Sequence, residues 1–117
     1  MTGQTLQNLG TFAKSELPET LSVTFKDGDG VIINLTGFTA KVAFAVIEGN
    51  NSTLGSGTVE IPSPATDGIV TYAWHSNDFS EVGLFQIQLW VDDGTNTLAS
   101  ELFQYAVEAI TVVPTFA

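Results

Sequence analysis

The chain has 117 residues, with 13 acids, 3 lysines (Lys14, Lys26 and Lys41), no arginine and no cysteine, giving a formal charge of −10. That length suits one domain around one core, and the missing cysteines exclude disulfides and thiolate metal sites. So few cations cannot displace the counterions of a nucleic acid or hold an acidic membrane surface, so no nucleic-acid partner and no membrane partner is expected.

Residues 1–18 are polar, with Leu6, Leu9, Phe12 and Leu17 set at no sustained period, and Pro18 closes the segment. They lack the basic head and apolar stretch of a secretory signal. No apolar run in the chain reaches the roughly 18–20 residues that cross a bilayer, so a soluble chain is expected. This stretch reads as an N-terminal arm, and the domain itself as residues 19–117.

From Glu19 the texture changes to short β-rich runs broken by Gly, Asp, Asn and Pro. Thr20–Phe25 predicts a first strand and Val31–Leu35 a short second one. In Phe38–Glu48, Phe38, Ala40, Val42, Phe44 and Val46 alternate with Thr39, Lys41, Ala43, Ala45 and Ile47, the two-residue period of a strand. A loop follows to Gly57, then a short strand at Thr58–Ile61 and a turn through residues 62–68. Ile69–Trp74 puts Val70, Tyr72 and Trp74 on one face, and a single helical turn falls near Asn77–Glu81. In Leu84–Asp92, Phe85, Ile87, Leu89 and Val91 point inward, with Gln86, Gln88, Trp90 and Asp92 outward. Asp92–Asn96 is a hairpin turn in which Gly94 takes positive φ. The return strand, Leu98–Ile110, alternates Phe103, Tyr105, Val107 and Ala109 with Gln104, Ala106 and Glu108. The whole predicts an all-β, two-sheet sandwich of about seven antiparallel strands. Its expected core is Val42, Phe44, Tyr72, Trp74, Phe85, Ile87, Leu89, Phe103 and Tyr105.

Asp27-Gly28-Asp29-Gly30 resembles the start of a calcium loop, but Val31 stands at the fifth position and Phe38 at the twelfth, where such a loop needs oxygen ligands. As a turn every residue fits; a weak calcium site would require this loop to meet Asp92 and Asp93. His75 has Ser76, Asp78 and Ser80 only as sequence neighbours, which does not make a triad. No carboxylate pair is singled out for glycoside chemistry, and no glycine-rich run cradles phosphate. No catalytic residue, no cofactor and no metal are therefore expected. Trp90, on the Gln86 and Gln88 side of its strand, has the composition of a contact centre. A neighbouring loop or the arm covering it is the other reading, and both stay open.

The runs DGDGVIINLTGFTAKVAFAV, GIVTYAW, FSEVGLFQIQLWV and FQYAVEAITVV resemble the immunoglobulin-like domain of tailed-bacteriophage structural proteins. They are similar to the N-terminal domain of phage baseplate upper proteins. The matching positions are Asp29-Gly30, Leu35-Thr36-Gly37, the strand from Gly68 through Tyr72 to Trp74, and Gly83 to Phe85, within roughly Glu19–Val113. Phe85 departs from the family's frequent tyrosine, and the sequence given stops just past the domain where a baseplate upper protein continues.

The resemblance implies an immunoglobulin-like sandwich in a virion structural protein, bound to an assembled phage capsid or tail lattice and located in the virion. A capsid decoration protein is the first expectation, and a tail, baseplate or neck accessory the alternative. Copies could also form a homo-oligomer on the particle. The expected contact residues are Leu6, Leu9, Phe12, Leu17 and Trp90. A second class, a carbohydrate-binding or calcium-dependent adhesion module, needs polar side chains gathered around a tryptophan, and the sequence groups none with Trp90.

Overall fold

A computed structural model describes residues 6–14, 16–48 and 54–109. Its strands are β1 (Leu6–Ala13), β2 (Leu21–Thr24), β3 (Thr39–Glu48), β4 (Thr58–Glu60), β5 (Ile69–Ala73), β6 (Gly83–Asp92), β7 (Thr97–Ala99) and β8 (Leu102–Glu108). One sheet runs β1-β8-β6-β3, with β7 also on β6; the other runs β2-β5-β4. The chain changes sheets between β1 and β2, between β2 and β3, between β3 and β4, and between β5 and β6. That is the Greek-key connectivity of an immunoglobulin-like sandwich.

Alternation decides the core. Tyr72, Phe85, Ile87, Leu89, Phe103 and Tyr105 are buried, with Trp74 at the margin of burial, as their faces predict. Val42 and Phe44 pack against this core half-buried, because β3 is the last strand of its sheet. Phe25, Leu35, Val70, Phe79, Val91 and Val107 complete it. The aromatic rings meet mostly edge to face: Tyr72 to Trp74 at 5.2 Å and Trp74 to Tyr105 at 5.4 Å between centroids. Such geometry sets ring edges against ring faces and adds to the burial gain.

The sequence reading needs three corrections. First, the arm is not separate from the domain: its residues 6–13 form β1, paired parallel to β8 from Leu6↔Leu102 to Ala13↔Glu108. Its period was hidden by a bulge. The register shifts between Asn8 and Gly10, where Gly10 takes φ 104° and its N–H donates to Asn8 Oδ1 at 2.8 Å. One inserted residue resets the alternation, so Leu9 and Phe12, three apart, both reach the core. The sheet is therefore mixed, and the described residues hold eight strands, not about seven antiparallel ones.

Second, Val31–Leu35 is no strand, holding only an isolated bridge, Lys26↔Ile32. There the chain leaves one sheet for the other: Asn34 Oδ1 accepts from Thr36 N and Oγ1, and Leu35 N donates to Ala65 O. Third, the return strand breaks at Ser100. Trp90 faces Ala99 but Ile87 faces Phe103, so the return side carries one extra residue. Buried Ser100 fills the gap, its hydroxyl accepting from Leu89 N at 3.0 Å while its own N–H donates to Leu89 O at 2.8 Å. The predicted end at Ile110 lies outside the described residues.

Candidate interaction surface

Asp27-Gly28-Asp29-Gly30 is a turn. Asp27 Oδ1 accepts from Asp29 N at 2.9 Å and Val31 N at 3.0 Å, and Gly30 takes φ 81°. Among the described residues no three histidine or acid side chains are grouped to hold a metal. His75 opens a short 3-10 helix, Ser76–Phe79, and its Nδ1 accepts from Asn77 N at 3.1 Å.

The chemistry that sequence reasoning missed sits three residues further on. Asp78 is fully buried, a costly position for a carboxylate unless every lone pair is used. It accepts from Tyr72 Oη at 2.6 Å, Gly55 N at 2.8 Å and His75 N at 3.1 Å. Its own carbonyl accepts from Tyr105 Oη at 3.0 Å. Gly57 N donates to Tyr72 Oη at 2.9 Å, and a Cβ at Gly57 would drive into the backbone oxygen of Ala73. One carboxylate thus ties the β3–β4 connection, β5 and the β5–β6 turn together, while both phenols lean on that turn. Burial, together with the Asp78 charge, pushes both phenols above their ordinary pKa of 10.0. The cluster faces inward and offers nothing to a ligand; it is a clamp. The only sequence signal was an acid next to Phe79 and shortly after Tyr72, and one of its partners, Gly55, lies 23 residues away.

The predicted contact residues separate. Leu9 and Phe12 are spent on the protein's own core, Phe12 lying 5.2 Å from the Phe79 ring and 6.1 Å from Tyr105. Leu6 holds a β1 ladder position opposite Leu102. Leu17 is 61 % exposed, and Trp90 36 %. These residues form no single patch.

Trp90 instead belongs to the outer face of the larger sheet. The β3–β6 register pairs Ala43 with Gln88, Ala45 with Gln86 and Lys41 with Trp90; the β6–β8 register adds Gln104 and Ala106. This face is uncharged at its centre, and its charges, Lys41, Glu48, Asp92 and Glu108, lie at strand ends. In a chain of net −10 that is a marked local depletion. An uncharged centre with a charged rim, here with an aromatic at its margin, is the anatomy of a protein–protein contact. Beside Trp90 a shallow groove of about 410 Å³ is lined by Thr39, Lys41, Asp92 and Thr97. The structure therefore gathers polar groups at Trp90 that the sequence did not place there. On its other side Trp90 shares a groove with Lys26, Asp27 and Gly28 of the loop after β2, so that loop reaches the end of this face.

The fold and this surface define a class: an immunoglobulin-like sandwich with one uncharged, tryptophan-bearing sheet face. The chain matches no protein-family model, and no curated protein is similar to it.

Proposed function

We propose that the chain is a non-enzymatic structural domain that docks by the outer face of its larger sheet onto an assembled protein lattice. The observation that carries this is the uncharged Ala43, Ala45, Gln86, Gln88, Gln104 and Ala106 surface beside Trp90. The lattice named by the sequence resemblance is a tailed-phage particle: the capsid exterior first, as a decoration protein, then a tail, baseplate or neck position. Its place would then be the virion. Net −10 makes free copies repel one another wherever charged surfaces would meet, which favours attachment to a pre-formed surface over unspecific association.

The test is co-sedimentation with particles of the parent phage, using Gln86→Glu and Trp90→Ala. Both side chains face outward, so melting should hold within a few degrees while particle binding falls at least tenfold. Undiminished binding by both variants would sink the docking face. Electron cryomicroscopy of particles with and without the protein would then place it on head or tail.

A second reading, a carbohydrate site with a sugar ring on Trp90, draws on the polar groove of Thr39, Lys41, Asp92 and Thr97. A glycan array separates the two: saturable glycan binding lost in Trp90→Ala, without particle binding, selects this reading.

A further inference from the structure

The larger sheet stops at β3. Its ten residues, Thr39–Glu48, pair along one side with β6, and no strand among the described residues pairs along the other. Among the described residues, no backbone hydrogen bond from a loop or turn closes that outer side either. Edge strands are normally blunted by shortness, proline, a central bulge or inward charge. β3 is long, and Val42–Ile47 is six residues without a charge or a proline. Its one irregularity lies at the far end, between Val46 and Glu48. A row of open N–H and C=O groups of this kind is a template for strand addition.

We propose that the occupant of this edge is β3 of a second copy, paired antiparallel about a two-fold axis at Phe44. The charges select this partner and this direction. β3 carries one cation, Lys41, and one anion, Glu48, near opposite ends. Lys41 pairs with Trp90 and Glu48 with Leu84, so the irregularity at Ile47 returns Glu48 to the outward face that Lys41 occupies. Rotation about Phe44 sets Val42 opposite Val46 and Ala43 opposite Ala45. It ends with Lys41 facing Glu48 of the second copy, and the pair occurs twice. In-register parallel pairing would set lysine beside lysine and glutamate beside glutamate, which is unfavourable. The strand's net charge is zero in a chain of −10, so this edge meets less repulsion than the rest of the molecule.

The closed symmetry uses both free β3 edges and leaves neither for fibre growth. It also makes a continuous sheet across the two copies. Because the axis stands perpendicular to that sheet, both Trp90 faces lie on the same side. One face, about four strands wide at ~4.8 Å spacing and ~30 Å long, offers roughly 600 Å². That is below the ~800 Å² per partner of a standard interface, and two faces side by side exceed it. The inference concerns the strand's edge and stands whether or not the face docks on a lattice.

Sedimentation velocity over a concentration series, in low salt, tests it on the full chain. The expected species has twice the 12.4 kDa chain mass and grows with concentration. Lys41→Glu and Glu48→Lys each set like charges opposite one another and should weaken dimerisation about tenfold. The double variant Lys41→Glu/Glu48→Lys re-forms both pairs and should recover to within about threefold of wild type. Gln86→Glu, which acts on the face, should dimerise normally. A chain that stays monomeric up to about 1 mM overturns the proposal, as does a dimer that the single charge reversals leave intact or that the double variant fails to restore.

Discussion

Replacing Asp78 by alanine tests whether one carboxylate clamps the end of the sandwich. The change removes the acceptor for Tyr72 Oη, Gly55 N and His75 N. The His75 amide belongs to an exposed residue and can turn to water; Tyr72 Oη is fully buried and the Gly55 amide partly so. At about 1–3 kcal/mol for each buried donor left without a partner, the loss should reach about 2–6 kcal/mol. That is a large share of the 5–15 kcal/mol typical of a domain. With a urea slope near 2 kcal/mol/M the midpoint falls by about 1–3 M, read from tryptophan fluorescence because Trp74 packs 5.1 Å from the Phe79 ring. Tyr72→Phe removes the opposite end of the strongest bond. If the clamp is a unit, the double variant costs less than the sum of the singles by about 1–3 kcal/mol. A midpoint within about 0.3 M of wild type for Asp78→Ala, or strict additivity in the cycle, would refute the reasoning.

Phe12→Ala should destabilise by about 3 kcal/mol in urea melts, since Phe12 fills the gap between Phe79 and Tyr105, whereas exposed Leu17→Ala should stay within about 0.5 kcal/mol. Tyr72 and Tyr105 are the chain's two tyrosines, and both are raised above 10.0 when folded. Their contribution to stability is full below pH 10 and is lost as pH rises toward the folded values, so tyrosinate absorbance should appear only together with alkaline unfolding; a hyperbolic titration centred near pH 10 in the folded protein would contradict it. Asp93 is held below its ordinary 3.8 by the N–H groups of Asn96 and Thr95. Its contribution is present above that value and fades as pH falls through the lowered one, so melting temperatures of Asp93→Ala and wild type should differ near neutrality and converge in strong acid.

What could be read from the sequence was whatever a strict two-residue period carries. Phe85 to Val91 inward against Gln86 to Trp90 outward follows from alternation alone, and that alternation already held half of the candidate face. The other half comes from Ala43, Ala45, Gln104 and Ala106, which only strand order brings alongside. β1 was misread because a single inserted residue at Gly10 breaks the period that marks a strand. The Ser100 break stayed hidden for the opposite reason: an apolar alternation of the return strand continues beyond it. Asp78 was invisible because its meaning lies in Gly55 and Tyr105, partners 23 and 27 residues distant, which no local pattern announces.

The parallel pairing of β1 with β8 fixes an order of events. During synthesis Leu9 and Phe12 emerge well ahead of the strand that β1 zips onto, Leu102–Glu108. At about 5–20 residues per second the first strand waits several seconds for its neighbour. Contacts between strands so far apart in sequence are also the slowest to close, because the loop entropy must be lost before they form. The β3–β6 and β6–β8 ladders can assemble before β1 joins them, leaving β8 exposed as a temporary edge. Delay at that step leaves the Phe79 and Tyr105 rings uncovered on the side Phe12 will occupy, so the nascent chain's vulnerability to aggregation is concentrated at the seam that closes last.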